Sequence, residues 1–172
     1  MANVSIFPGK YVQGRKALEQ IGEHLAAFGT RYLALVNPTI GQACMDQVTS
    51  ALRRGLREEQ LVLAEGGVEC CMREIRRVEA LISENHCDAV IGVGGGKTLD
   101  TAKAAAYYAG VPVAIVPTAA SSDAPCSALA VIYTEQVCRC QLKMHKKRQT
   151  CKKALANSCG TAQDFPFGTC KL

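Results

Sequence analysis

Gly94-Gly95-Gly96-Lys97, with Asp100 three residues further on, is the stretch whose residue types and spacing could do chemistry. Glycine has no Cβ, so an anion can approach the backbone itself. The apolar residues 89–93 before the glycines, bounded by Asp88, read as a buried strand, and residues 98–108 after them are good helix formers. A strand, a side-chain-free turn and a helix N-terminus make an anion site, because the first N–H groups of a helix lack acceptors and its dipole is positive there. Lys97 adds a mobile positive charge, and Asp100 falls in the first turn, where a carboxylate is favoured. The bland alternative is a glycine turn that only packs a helix on a sheet; the placement at the carboxyl end of a strand favours phosphate.

Two familiar phosphate loops fail on counting. A Walker A loop ending in Gly96-Lys97-Thr98 would need glycine at Ile91, and one starting from Gly92 is a residue short. The dinucleotide pattern G-x-G-x-x-G starting at Gly92 would need glycine at Lys97. A second polar stretch, 117–127, is dense in hydroxyls: Thr118, Ser121 and Ser122 could hold phosphate or ribose oxygens, and Asp123 could orient a polyol hydroxyl. Ser, Asp and Pro are also what an ordinary connection contains, so this reading leans on the neighbouring glycines.

The elements that must position these residues follow from periodicity. Residues 4–7 read as a short strand, and Leu18, Ile21, Leu25 and Phe28 mark a helix over 15–28 that Gly29 stops. Strand 32–36 ends at Asn37-Pro38; Met45, Val48 and Leu52 stripe a helix closed by Gly55; strand 61–63 leads to Gly66-Gly67. Ile75, Val78 and Ile82 face one side of the next helix, Gly110 ends the helix after the glycine loop, and strands 113–116 and 129–133 follow. Alternation at this spacing predicts an α/β, doubly wound, mostly parallel sheet with helices on both faces. Asn37, the 94–97 loop and the 118–127 loop all fall at carboxyl ends of strands, where such sheets bind ligands, so three segments converge on one crevice.

The chain of 172 residues is 48% hydrophobic, with no apolar run of membrane-spanning length and no signal-peptide pattern at its start, which predicts a cytoplasmic protein. Residues 1–135 carry 12 Lys and Arg against 14 Asp and Glu, whereas 136–172 carry 8 against 1. Five of the ten cysteines also fall in the last 37 residues. The break predicts a dinucleotide-binding domain over 1–135 and a basic, Cys-rich tail over 136–172 without order of its own. In the tail, Cys138, Cys140, Cys151, Cys159 and Cys170, with His145, match no usual zinc spacing. Cys44 and Cys87 suit apolar packing, and His24 and His86 lack ligand partners at matching spacing.

Residues 1–135 resemble the amino-terminal half of the bacterial NAD-dependent glycerol dehydrogenases, in the group that includes dehydroquinate synthase and the iron-containing alcohol dehydrogenases. The motifs are Pro8-Gly-Lys-Tyr-Val-Gln-Gly14, Gly92-Val-Gly-Gly-Gly-Lys-Thr-Leu-Asp-Thr-Ala-Lys103, Val111-Pro-Val-Ala-Ile-Val-Pro-Thr118 and Asp123-Ala-Pro-Cys-Ser-Ala-Leu-Ala-Val-Ile-Tyr133. The resemblance implies NAD as cofactor, with its pyrophosphate on Gly94, Gly95, Gly96, Lys97, Thr98 and Asp100. It places Thr118, Ser121, Ser127, Leu129 and Tyr133 along the nicotinamide, Asp123 at a glycerol hydroxyl, and residue 37 at the adenine ribose. That last position is usually Asp in the family; Asn37 can bond a hydroxyl but lacks the charge.

The family continues with a hairpin and a helical domain that supplies an Asp and two His as zinc ligands, and its members form homo-oligomers. Nothing in 136–172 resembles that continuation. A changed reading frame with early termination would account for the joint shift in charge and cysteine. The expected function is therefore the cofactor-binding half of a glycerol dehydrogenase, moving hydride between NAD and glycerol or dihydroxyacetone in the family and inactive as this shortened chain. The alternatives are a non-catalytic nucleotide-binding module and, last, a nucleic-acid-binding protein using the basic tail.

Overall fold

The structure, a computed structural model, describes residues 9–67, 69–119, 123–133, 139–143 and 151–156. The strand expected at 4–7, Ser121 and Ser122 lie outside these residues. The elements in chain order are β1 (Tyr11–Gln13), a 3-10 turn (Ala17–Gln20) running into α1 (Ile21–Leu25), β2 (Tyr32–Val36), α2 (Gln42–Gly55), β3 (Leu61–Glu65), α3 (Met72–Glu84), β4 (Ala89–Gly94), α4 (Gly96–Ala109), β5 (Val113–Pro117), β6 (Leu129–Tyr133), β7 (Arg139–Lys143) and β8 (Cys151–Ala156). The helix expected over 15–28 is shorter than its apolar spacing suggests. Lys16 sits at φ 64, a left-handed conformation that forbids helix before Ala17.

β1, β8, β5, β4, β2 and β3 form one sheet in that order, and every neighbouring pair is parallel. Its central strands are buried on both faces, which is why 32–36 and 89–94 read as continuous apolar runs rather than alternating ones. α1 and α2 pack on one face with Tyr32, Ala34, Val36, Ile91 and Val93. α3 and α4 pack on the other with Leu33, Leu35, Val90 and Ile115. β2 and β4 are neighbours, yet the chain leaves β2 for one face and β4 for the other. That divergence opens a crevice between their carboxyl ends, the topological switch point of an open sheet.

Two close approaches set the layer spacing. A Cβ on Gly92 would lie 2.7 Å from the Cβ of Ala102, so a bare strand position and a small helix residue let α4 settle onto β4. A Cβ on Gly22 would lie 2.0 Å from the carbonyl oxygen of Gly55, so α1 and α2 meet backbone to backbone.

At the amino-terminal edge of the sheet, Asp88 ties the α1–β2 connection to the start of β4. Its carboxylate accepts from the N–H of Thr30 (2.8 Å), the N–H of Arg31 (2.9 Å) and the hydroxyl of Thr30 (3.1 Å). Desolvation is the largest single influence and works to raise the Asp88 pKa, but these donors together outweigh it and hold it below the ordinary carboxylate value. A depressed folded pKa means that the contribution is present above the unfolded value and is lost as pH falls through the folded one. Asp88→Asn is therefore expected to flatten the acid limb of the stability profile below about pH 4. Urea midpoints across pH 2–7 check this, and parallel wild-type and variant acid limbs would refute it.

The segment expected to lack order behaves differently in two places. β7 pairs antiparallel with β6, and β8 lies parallel between β1 and β5. Backbone pairing thus crosses the boundary expected after residue 135. The physical reason is the open edge of β5, whose unpaired N–H and C=O groups accept a strand that charge and cysteine counts do not reveal. The rest of 136–172 lies outside the described residues.

Candidate functional site

The crevice is built from the ends of four strands. Asn37 follows β2 directly, and its N–H donates to the carbonyl of Val93 at 2.9 Å, which sets it beside the glycine loop. Thr118 follows β5, and its N–H donates to the carbonyl of Gly94 at 3.1 Å, on the other side. Gly66 follows β3, its N–H donates to the carbonyl of Val36 at 2.8 Å, and a Cβ there would lie 3.3 Å from the Cγ2 of Thr98. Asn37, Gly66, Gly94 and Thr98 therefore form one wall of contiguous atoms.

The three loop glycines are not equivalent. Gly94 has φ 151, and a Cβ there would sit 2.8 Å from the Cβ of Asn37 and 3.2 Å from the Cβ of Thr98. Its role is to let the chain turn in a crowded place. Gly95 is the N-cap of α4 at φ −89, ψ −179, makes no side-chain cap, and among the described residues a Cβ there would meet nothing within 4 Å. Gly96 is the first residue of the helix. The first bond of α4 runs from the Leu99 N–H to the carbonyl of Gly95, leaving the N–H groups of Gly96, Lys97 and Thr98 without intrahelical acceptors. An open cradle lined by these groups at a positive helix end suits a pyrophosphate. α4 is stopped at its far end by Gly110 at φ 71, with the Val111 N–H returning to the carbonyl of Ala106 at 3.0 Å.

Around the cradle, Asn37 turns its Oδ1 to the N–H (2.9 Å) and hydroxyl (2.8 Å) of Thr39, which fixes the side chain and leaves its amide NH₂ as the exposed polar end. Lys97 is exposed and ion-paired with Glu69, from the β3–α3 connection. That connection is held by Glu74, whose carboxylate accepts from the Gly67 N–H at 2.7 Å and pairs with Arg77. The Arg77 guanidinium, against opposing desolvation, holds Glu74 below the ordinary carboxylate range. Glu69 and Gly66 were not among the residues expected here; the Gly66-Gly67 pair after a strand was the available signal.

Asp100 is not at the cradle. It is buried, its Oδ2 accepts the Val131 N–H at 3.0 Å, and its Oδ1 faces the Lys103 Nζ at 2.8 Å. A first-turn position favours a carboxylate electrostatically, but the helical repeat turns residue 100 away from the loop and onto β6. Lys103, 1% exposed, was also missed. Its Nζ donates to the carbonyls of Ala124 (2.9 Å), Ser127 (3.3 Å) and Leu129. A lysine among alanines reads as a solvent-facing residue, and only the packing of α4 under β6 puts it inside.

In the second loop Asp123 is exposed, and its carbonyl accepts the N–H groups of Cys126 (3.0 Å) and Ser127 (2.9 Å). The Ser127 hydroxyl accepts the Leu129 N–H at 3.0 Å, leading into β6. Along β6, Ala130 and Ile132 point into the core, so Leu129, Val131 and Tyr133 share the opposite face. Cys44, Cys70 and Cys87 are buried. Burial pushes the Cys70 thiol up to about 11, so it is not a nucleophile.

Zinc finds no fitting site among the described residues. Among the described residues no three His, Cys, Asp or Glu side chains gather where a metal could be held. His86 stands just before β4, at the opposite end of that strand from the crevice, and His24 lies within α1. Among those residues, too, no helix is long and apolar enough to cross a membrane.

An open parallel sheet with a glycine cradle at its switch point defines a nucleotide-binding type of α/β domain. The family model for iron-containing alcohol dehydrogenase matches residues 8–157, and the chain belongs to that family. It is 44% identical over 131 residues to a glycerol dehydrogenase of Escherichia coli O6:H1, covering 75% of this chain and 35% of that protein. Identity to a Thermotoga maritima glycerol dehydrogenase is 44% over 134 residues, covering 78% of this chain and 36% of that one. The crystal structure of a probable glycerol dehydrogenase from Sinorhizobium meliloti 1021 superposes with a TM-score of 0.73 at 34% identity, covering 90% of this chain and 41% of that one. The chain thus spans little more than a third of the length of the curated relatives it matches. The match from 8 to 157 also runs through β7 and β8, past residue 135.

Proposed function

We propose that this chain is the NAD-binding half of a glycerol dehydrogenase. The observation that carries the reading is the uncapped Gly95 cradle at the β2/β4 switch point. There the N–H groups of Gly96, Lys97 and Thr98 bind the pyrophosphate, and Lys97 exchanges its Glu69 partner for phosphate oxygen. The Asn37 amide meets the adenine ribose. Thr118, with Ser127, Leu129 and Tyr133, lines the nicotinamide side, and Asp123 takes a hydroxyl of a glycerol-like diol.

NAD supplies the hydride acceptor: in the proposed reaction the alcohol carbon gives up a hydride and its oxygen a proton, leaving dihydroxyacetone. The chain's residues orient the cofactor and the diol. For the 172 residues alone we expect cofactor binding without turnover, since the described residues assemble no metal site to stabilise an alkoxide. The deciding experiment titrates NADH into the purified chain by nucleotide fluorescence, with and without zinc, and assays NADH formation from glycerol. Saturable binding without turnover is expected; no binding would refute the reading, and zinc-dependent turnover would refute the inactivity.

Asn37→Asp keeps the Oδ1 that accepts both Thr39 bonds and adds a charge facing the ribose. Charge-assisted hydrogen bonds are about twice as strong as neutral ones, so NADH affinity is expected to rise by about three- to tenfold. Isothermal titration checks this, and equal or weaker binding would remove residue 37 from the ribose site.

A further inference from the structure

Lys103 is a fully buried cation with four separate acceptors, and nothing in the pyrophosphate reading uses it. Its Nζ reaches the carbonyls of Ala124, Ser127 and Leu129, and it pairs with Asp100 at 2.8 Å. Asp100 in turn accepts the Val131 N–H at 3.0 Å through its other oxygen. Four contacts thus join two mutually paired side chains, one helical turn apart on α4, to the backbone of a single segment between Ala124 and Val131.

That segment also packs on α4, where Ala124 and Ala130 share the core with Leu99 and Ala102, a contact that holds it near the helix without fixing its backbone orientation. Its own bonds are local: the Asp123 carbonyl to the Cys126 and Ser127 N–H groups, and the Ser127 hydroxyl to the Leu129 N–H. Ser127 and Leu129 are residues assigned above to the nicotinamide side, and Lys103 holds the carbonyls of both. The amino end of the same helix carries the cradle.

We propose that Lys103, with Asp100, is a positioning residue: a buried strut that holds the nicotinamide-facing segment 124–131 at a fixed height above the glycine cradle. This rests on the dinucleotide reading. The helix serves as the ruler: its N–H groups seat the pyrophosphate at one end, and two turns along Lys103 sets where the opposite wall stands. A buried cation satisfied almost wholly by main-chain carbonyls specifies backbone position independently of the side chains it holds. Rotation of the loop would draw its carbonyls away together, and the loss of more than one leaves an ammonium donor stranded in the interior. The geometry therefore predicts that the adenosine-diphosphate half of the cofactor does not report the strut and the nicotinamide half does.

The test compares two probes, NADH and ADP-ribose, on the full 172-residue chain. ADP-ribose carries the pyrophosphate and the adenosine but no nicotinamide. Because Lys103→Met alone strands Asp100 without its counter-ion, Lys103→Met is paired with Asp100→Asn in the same chain. The expected result is that NADH affinity falls about tenfold more than ADP-ribose affinity, the loss of one or two oriented contacts on the nicotinamide side. Equal loss, or no loss, for both probes in the folded variant would overturn the proposal. Hydrogen exchange on the wild-type chain is a second measurement that does not depend on the variant folding. NADH should slow exchange at Ser127, Leu129 and Val131 well beyond what ADP-ribose does, and equal slowing by the two probes would also overturn it. If the wild-type chain binds neither probe, the dinucleotide reading itself fails, which is a different outcome.

Discussion

Lys103→Met is expected to lower the unfolding free energy by about 3–5 kcal/mol, the largest stability loss expected of any single substitution at the site. The side chain fills a closed interior position, and its removal leaves the Asp100 carboxylate buried beside an apolar group. An uncompensated buried charge costs far more than a surface pair gains. Adding Asp100→Asn should recover part of the loss, because a neutral amide still accepts the Val131 N–H without needing a counter-ion. Recovery is incomplete, since the carbonyls of Ala124, Ser127 and Leu129 still lose their common donor. Urea unfolding followed by circular dichroism measures all three chains. A double variant as unstable as, or less stable than, Lys103→Met would show that the charge is not what makes the position costly.

Gly95→Val is expected to leave the unfolding midpoint near that of the wild type while NADH affinity drops about a hundredfold. The backbone at Gly95 is in a region any residue adopts, and among the described residues a Cβ there meets no atom within 4 Å. The first atom of the added side chain is therefore unopposed by the described residues. The space the valine occupies is the mouth of the cradle, where several N–H contacts to a charged oxygen, each worth about 1.5–3 kcal/mol, would be blocked. Gly94→Ala makes the contrast: at φ 151 and 2.8 Å from the Cβ of Asn37, it should damage the fold before it damages binding. Unchanged NADH affinity in folded Gly95→Val would move the pyrophosphate elsewhere.

Much of this architecture could be read before any coordinates. Continuous apolar runs at 32–36 and 89–94, bounded by Asn37-Pro38 and by glycines, place two buried parallel strands because only a sheet covered on both faces needs them. The stripe of Ile75, Val78 and Ile82 places α3, and Gly110 places the end of α4. These are local signals. Periodicity and turn chemistry act within a dozen residues, so they are written in the order of the chain.

The sequence by itself therefore determined the alternating elements, the glycine loop on a helix N-terminus and the set of segments that end at one edge of the sheet. Only the tertiary structure decided which way each side chain of α4 faces. Asp100 and Lys97 lie in the same first turn, yet one is buried on β6 and the other exposed beside Glu69, because rotation about the helix axis meets a different neighbour at each residue. The tertiary structure also decided that Gly66 belongs to the crevice wall and that Lys103 is interior, contacts separated from their partners by 21 or more residues. The entry of β8 between β1 and β5 is of the same kind. Strand pairing depends on which edge is open in space, and composition carries no record of that.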